Sequence, residues 1–143
     1  MGGGVHLDLF HELDYTYHLF GRPTKVHSIL RNNSSLKIDA VDYGNYLLEY
    51  DGFVTNLVLN YFRRKAKRTI EVVSEKDTYI ADLIQNKVVT DTGEVLFEAN
   101  KFTIMDTYYD QMKYFIGVVE GKAAPMNELK ESVEILKICL EHG

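Results

Sequence analysis

Two aspartates and three histidines crowd the first eighteen residues, directly behind three glycines, in GGGVHLDLFHELDYTYHLFG at 2–21. Asp8, His11 and Asp14 follow one another at intervals of three, and His18 comes four after Asp14. On a helix those intervals put side chains on neighbouring turns of one face. A carboxylate beside an imidazole orients the ring and raises its basicity, which is how a histidine becomes a general acid or base near neutral pH. The same spacing also suits a solvated face on which His and Asp only pair and cap, and spacing alone weighs toward that plainer reading.

Other chemistries fit less well. His6, Asp8 and His11 are metal-ligand types, but His6 points away from His11 on a helix and no second Cys/His cluster appears. Zinc needs three or four convergent ligands, so no metal is expected. A dinucleotide fingerprint needs G-x-G-x-x-G between a strand and a helix. Here no strand precedes Gly2, Gly3 and Gly4, and the spacing differs. Glycines in such a place serve a close backbone approach or a sharp entry into the helix. The run RRKAKR at 63–68, led by Arg63 and Arg64, either receives an anionic substrate or guards a sheet edge against pairing with other chains. The two roles are compatible. No Gly-x-Ser-x-Gly elbow, Cys/His nucleophile pair or Walker loop is present.

The elements that must position these residues read clearly. Leu9, Phe10, Leu13, Tyr17 and Phe20 form one apolar arc at helical period, and Asp8, His11, Asp14, Tyr15 and His18 form another. Gly21 stops this helix, with Pro23 beyond it. Period two then takes over. Strands are predicted at 24–31, 41–50, 53–62, 67–74, 78–84, 87–91 and 94–99. Asp51-Gly52 marks a type I′ hairpin, and short connections make most pairs antiparallel. Strand 53–62 is apolar on both faces, with Phe53, Leu57, Leu59 and Tyr61 on one and Val54, Val58 and Phe62 on the other. Two helices close the chain. The helix at 106–121 carries Tyr108, Met112, Phe115, Ile116 and Val119, with an unexplained Gly117; the helix at 127–143 has Asn127 as its cap and Cys139 as a small buried hydrophobe. The class is α+β, with one large, open, mostly antiparallel sheet and helices packed on one face.

With 143 residues the chain fits a single domain at 1–143. Its net charge of −5 argues against general nucleic-acid binding, which rests on neutralising phosphates. The single cysteine suits a reducing, cytoplasmic setting. No apolar run approaches the roughly 20 residues of a membrane span, and no signal peptide is visible.

At GGGVHLDLFHELDYTYHLFGRP the sequence strongly resembles the start of the C-terminal domain of the Gfo/Idh/MocA oxidoreductases. The likeness continues through NYFRRKAKRTIEVVSEKDTYIADL and the closing segments YYDQMKYFIGVVEG and NELKESVEILKICLE. The resemblance implies a fold like the C-terminal domain of glyceraldehyde-3-phosphate dehydrogenase, in an NAD(P)-dependent enzyme acting on a sugar-like or polyol carbinol. It assigns the acid/base role to His11 and the motif aspartate to Asp8, although many members space this pair by four residues rather than three. Asp14 and Tyr15 then support the site, with Arg63 and Arg64 toward the substrate. The family's Rossmann half and the Lys of its Glu-Lys-Pro motif have no counterpart here, and Met1 directly precedes the glycines. The expectation is a truncated substrate-binding and oligomerisation half, inactive alone and holding no NAD or NADP itself. Homo-oligomers through the sheet face are expected. The alternative is a non-catalytic carbohydrate-binding or oligomerisation module.

Overall fold

A computed structural model of the chain describes residues 3–140. The chain divides into two compact units, Met1–Arg63 with Met126–Gly143, and Arg64–Pro125. Gly2 of the glycine run and the predicted helix end at 141–143 lie outside the described residues. The α+β class and the antiparallel pairing expected from the sequence are present, in open sheets of three and four strands. The seven strands thus fall into two sheets and not one, with the strands on either side of the basic run in different sheets.

The first unit holds α1 (Val5–Asp8), α2 (Phe10–Phe20), β1 (Lys25–Arg31), β2 (Tyr43–Tyr50), β3 (Phe53–Asn60) and α4 (Leu129–Leu140). The sheet order is β1-β2-β3. Register aligns Ser28, Tyr46 and Leu57 in one row and Leu30, Gly44 and Leu59 in the next. This inner face meets the helices in a core of Val5, Leu13, Tyr46, Leu48, Leu59, Ile135 and Cys139. Cys139 is buried, as a small hydrophobe should be. Its Sγ donates to the His6 carbonyl at 3.1 Å, and the Tyr46 hydroxyl donates to its own carbonyl at 2.7 Å. The opposite face aligns Ile29, Asn45 and Val58, then His27, Leu47 and Asn56. Ile29, Leu47, Val54 and Val58 are exposed there, as is Phe62 just past β3.

Three local expectations are corrected. The opening helix is not continuous: Leu9, at φ −103° and ψ 27°, separates α1 from α2. The Asp51-Gly52 hairpin forms, but only Gly52 has a positive φ, of 90°, so the turn is not type I′. Helix α4 starts at Leu129, leaving Asn127 outside the cap position; its Oδ1 instead accepts from the Ser132 hydroxyl at 3.0 Å. Gly21 does end α2, at φ 76° with its N–H on the Tyr17 carbonyl.

The second unit is the meander β4 (Thr69–Val73), β5 (Thr78–Asp82), β6 (Lys87–Thr90) and β7 (Val95–Glu98), followed by α3 (Ile104–Val119). A capping box starts α3: the Thr103 N–H and hydroxyl both donate to Asp106 Oδ2 at 2.7 Å. Tyr108, Met112, Phe115, Ile116 and Val119 keep their helical spacing, yet none is buried. Gly117 accepts, through its carbonyl, the N–H groups of Lys122 and Ala123 that turn the chain after the helix. No helix among the described residues is long and apolar enough to cross a membrane.

Candidate active site

The site residues sit where the chain enters α1, and a closed circuit of backbone contacts fixes that entry. Gly4 has φ 116°, and a Cβ there would lie 2.9 Å from the Val41 carbonyl oxygen and Cβ. Only glycine tolerates that conformation and that approach. The next N–H, of Val5, donates to the Val41 carbonyl at 2.8 Å. Gly4 therefore serves a close approach to its own chain.

Asp42 follows Val41 and has no exposed surface. Its carboxylate accepts the N–H groups of Asn33 at 3.0 Å and Ser34 at 2.9 Å, folding the β1–β2 connection over it. Hydrogen bonding, from Ser34 above all, outweighs desolvation and holds its carboxyl below the ordinary carboxylate value. Its N–H donates to the Arg31 carbonyl at 3.0 Å, and its own carbonyl accepts the Tyr61 N–H at 3.1 Å. Tyr61 is thereby held beside α1, where its hydroxyl donates to Asp8 Oδ2. Burial first, and then the Asp8 carboxylate, push this phenol up to about 12.

The structure places Asp8, His11, Asp14 and Tyr15 on α1 and α2 but pairs them differently from the helical spacing. His11 and Asp8 are both exposed. His11 Nε2 lies 3.1 Å from Glu12 Oε1, and the Tyr15 hydroxyl donates to the other oxygen of Glu12. Glu12 is buried, so an exposed imidazole is backed by a buried carboxylate. Asp14 is half-buried and accepts from Asn127 Nδ2 at 3.3 Å, which joins α2 to the segment before α4. The break at Leu9 explains the change, because Asp8 and His11 no longer share one helix face. Arg63 and Arg64 are exposed in the connection after β3, and the boundary between the two units falls between them.

Sequence reasoning missed Glu12, Tyr61, Asp42 and Asn127. Adjacent residues do not face each other in a regular helix, so Glu12 gave no spacing signal. Tyr61 did leave one, since its parity placed it with Leu57 and Leu59 on the inner side of the third strand.

Chemically, the site offers an exposed imidazole on a buried carboxylate and, nearby, an exposed carboxylate held by a phenol. That set can exchange a proton with an alcohol. The space beside Gly4 is filled by Val41 and is not open to a ligand. Nor is there, among the described residues, a group of three His, Cys, Asp or Glu arranged to hold a metal ion.

A family model described as the GFO/IDH/MocA C-terminal domain matches residues 1–80. No curated protein matches the sequence. Among solved structures, UDP-N-acetylglucosamine 3-dehydrogenase GnnA from Acidithiobacillus ferrooxidans aligns with a TM-score of 0.75 at 18% identity, over 95% of this chain and 44% of that one. The WlbA dehydrogenase from Bordetella pertussis, solved with NADH and UDP-GlcNAcA, aligns at 0.69 and 18% identity, over 96% and 41%. An oxidoreductase from Agrobacterium radiobacter, solved with NAD+, L-tartaric acid and magnesium, aligns at 0.72 and 10% identity, over 93% and 44%. The chain spans less than half the length of each. At these identities the likeness is one of fold.

Proposed function

The chain belongs to the GFO/IDH/MocA family, as its C-terminal domain, and from that premise we propose that it is the substrate-binding half of an NAD(P)-dependent oxidoreductase acting on a sugar-like carbinol. His11 takes the hydroxyl proton of the substrate and returns it in the reverse direction. Asp8 accepts a hydrogen bond from a substrate hydroxyl. NAD or NADP, held on a separate nucleotide-binding domain, supplies the hydride chemistry. The observation that carries the reading is the pairing of an exposed imidazole with the buried Glu12 carboxylate at 3.1 Å, on the family's motif helix. The sugar nucleotides named for GnnA and WlbA are the substrates to try first.

The test follows NAD(P)H absorbance in the complete enzyme, with UDP-N-acetyl sugars and polyols as substrates. Loss of general acid/base catalysis lowers rates by roughly 10²–10⁴-fold, so His11→Ala should reduce kcat by about that factor. Cofactor affinity should change little. A kcat near wild type for His11→Ala, with His18→Ala inactive, would overturn the assignment.

We further infer that the open face of the β1–β3 sheet pairs with a second copy. Ile29, Leu47, Val54 and Val58 expose apolar surface along it, and an antiparallel sheet covered on one side needs either polar residues or a partner on the other.

A further inference from the structure

We propose that Tyr61 is a positioning residue of this site, whose phenol fixes the exposed Asp8 carboxylate through Oδ2 and leaves Oδ1 to meet a substrate hydroxyl. The proposal rests on the reading that Asp8 serves the substrate. Asp8 ends α1, is exposed, and is not paired with His11, whose ion-pair contact is with Glu12. An exposed Asp side chain in water samples several rotamers, and a carboxylate that must meet a hydroxyl loses that freedom on binding unless something has already removed it. Tyr61 is placed to remove it. Its N–H is bonded to the carbonyl of fully buried Asp42, so the backbone cannot drift. Its ring is half-buried, and its hydroxyl reaches Oδ2. The phenol keeps its proton throughout the neutral range, since burial and Asp8 hold it up to about 12, and so it remains a donor to a carboxylate acceptor. A donor–carboxylate bond is among the stronger side-chain hydrogen bonds. The short Gly4–Val41 and Asp42–Tyr61 contacts tie both partners to the same point at the start of β2, so neither can shift without the other.

Two measurements separate positioning from mere tethering of α1. In this chain, alkaline titration of Tyr61 is read by site-specific labelling, with Tyr61→Phe identifying its signal. Asp8→Asn should lower the titration of the phenol from about 12, while burial still holds it above its ordinary 10; an unchanged titration overturns the coupling. In the complete enzyme assayed with UDP-N-acetylglucosamine, Tyr61→Phe should lower kcat/KM by about 10- to 100-fold, the scale of a hydrogen bond to a charged group. In an Asp8→Asn background the same change should do nothing more, because Tyr61 acts through Asp8. Additive losses overturn the proposal. Should Tyr61→Phe fail to fold, 3-fluorotyrosine at 61 keeps the shape and changes only the acidity of the phenol. A kcat/KM that responds supports positioning, and one that does not respond overturns it. An active His11→Ala enzyme would refute the acid/base reading without touching the titration. An inactive His11→Ala enzyme with additive Tyr61 and Asp8 effects would refute only the role of Tyr61.

Discussion

Tyr46→Phe isolates a single buried hydrogen bond, and its effect can be worked out from the fold. Tyr46 is fully buried on the inner face of β2, and its hydroxyl donates to the Cys139 carbonyl at 2.7 Å. Cys139 lies in the last turn of α4, where the final four carbonyls have no intrahelical partner. The phenol therefore satisfies an acceptor that water cannot reach. Burial first, and then Cys139, push the Tyr46 phenol well above its ordinary value, so it remains a donor at any pH at which the protein folds. Phenylalanine keeps the ring and its packing while removing the donor. Stranding a buried acceptor in this way should destabilise the fold by about 1–3 kcal/mol. For a chain of this length that corresponds to a fall in melting temperature of roughly 4–12 °C. Circular dichroism melting gives the temperature, and amide hydrogen exchange on β2 assigns the loss to the first unit. Tyr109→Phe is the control, because Tyr109 is exposed on α3 and should change stability by less than about 0.5 kcal/mol. A Tyr46→Phe melt indistinguishable from the control would mean that the helix end is satisfied elsewhere and that the reasoning fails.

Two further outcomes are expected. The Asp42 carboxyl is depressed in the fold below its ordinary value of 3.8. It thus contributes stability that is present above 3.8 and lost as pH falls through the lower folded value; Asp42→Asn should lower the melting temperature at pH 7 and flatten its fall below pH 4, and an acid limb unchanged from wild type would contradict the role given to Asp42. Val58 lies in the outer row with Ile29 and Asn45. Val58→Lys should convert the expected oligomer to monomer in sedimentation velocity at micromolar concentration, and a wild-type chain that is monomeric under the same conditions would remove the sheet-face proposal.

Much of the fold was legible in the sequence because its signals are local. Seven strands stand where period two placed them, and Gly21, Gly52 and Gly93 mark turns with positive φ. The shared parity of Val54, Val58 and Phe62 was readable too, though only the structure shows that theirs is the exposed face. What failed required knowledge at longer range. The break at Leu9 carries no proline or glycine within the segment, so nothing in the periodicity announces it. The division of the strands into two sheets depends on which edges pair, and strand propensity does not encode that. The candidate site was half legible. His11 and Asp8 stood out by type, but their partners Glu12 and Tyr61 come from an adjacent position and from just past β3, more than fifty residues away, neither of which helical spacing can reveal.

The break at Leu9 also changes the chemistry available. On an unbroken helix, Asp8 and His11 at a separation of three would face each other, and the carboxylate would be committed to the imidazole. Ending α1 at Asp8 and starting α2 at Phe10 assigns the two groups to different partners. His11 takes the buried Glu12, whose other oxygen is held by Tyr15, while Asp8 turns to Tyr61. Each of the two groups is then backed by a residue that is at least half-buried, and neither is spent on the other. Where α1 ends, and not only the residue count, decides which partner Asp8 meets.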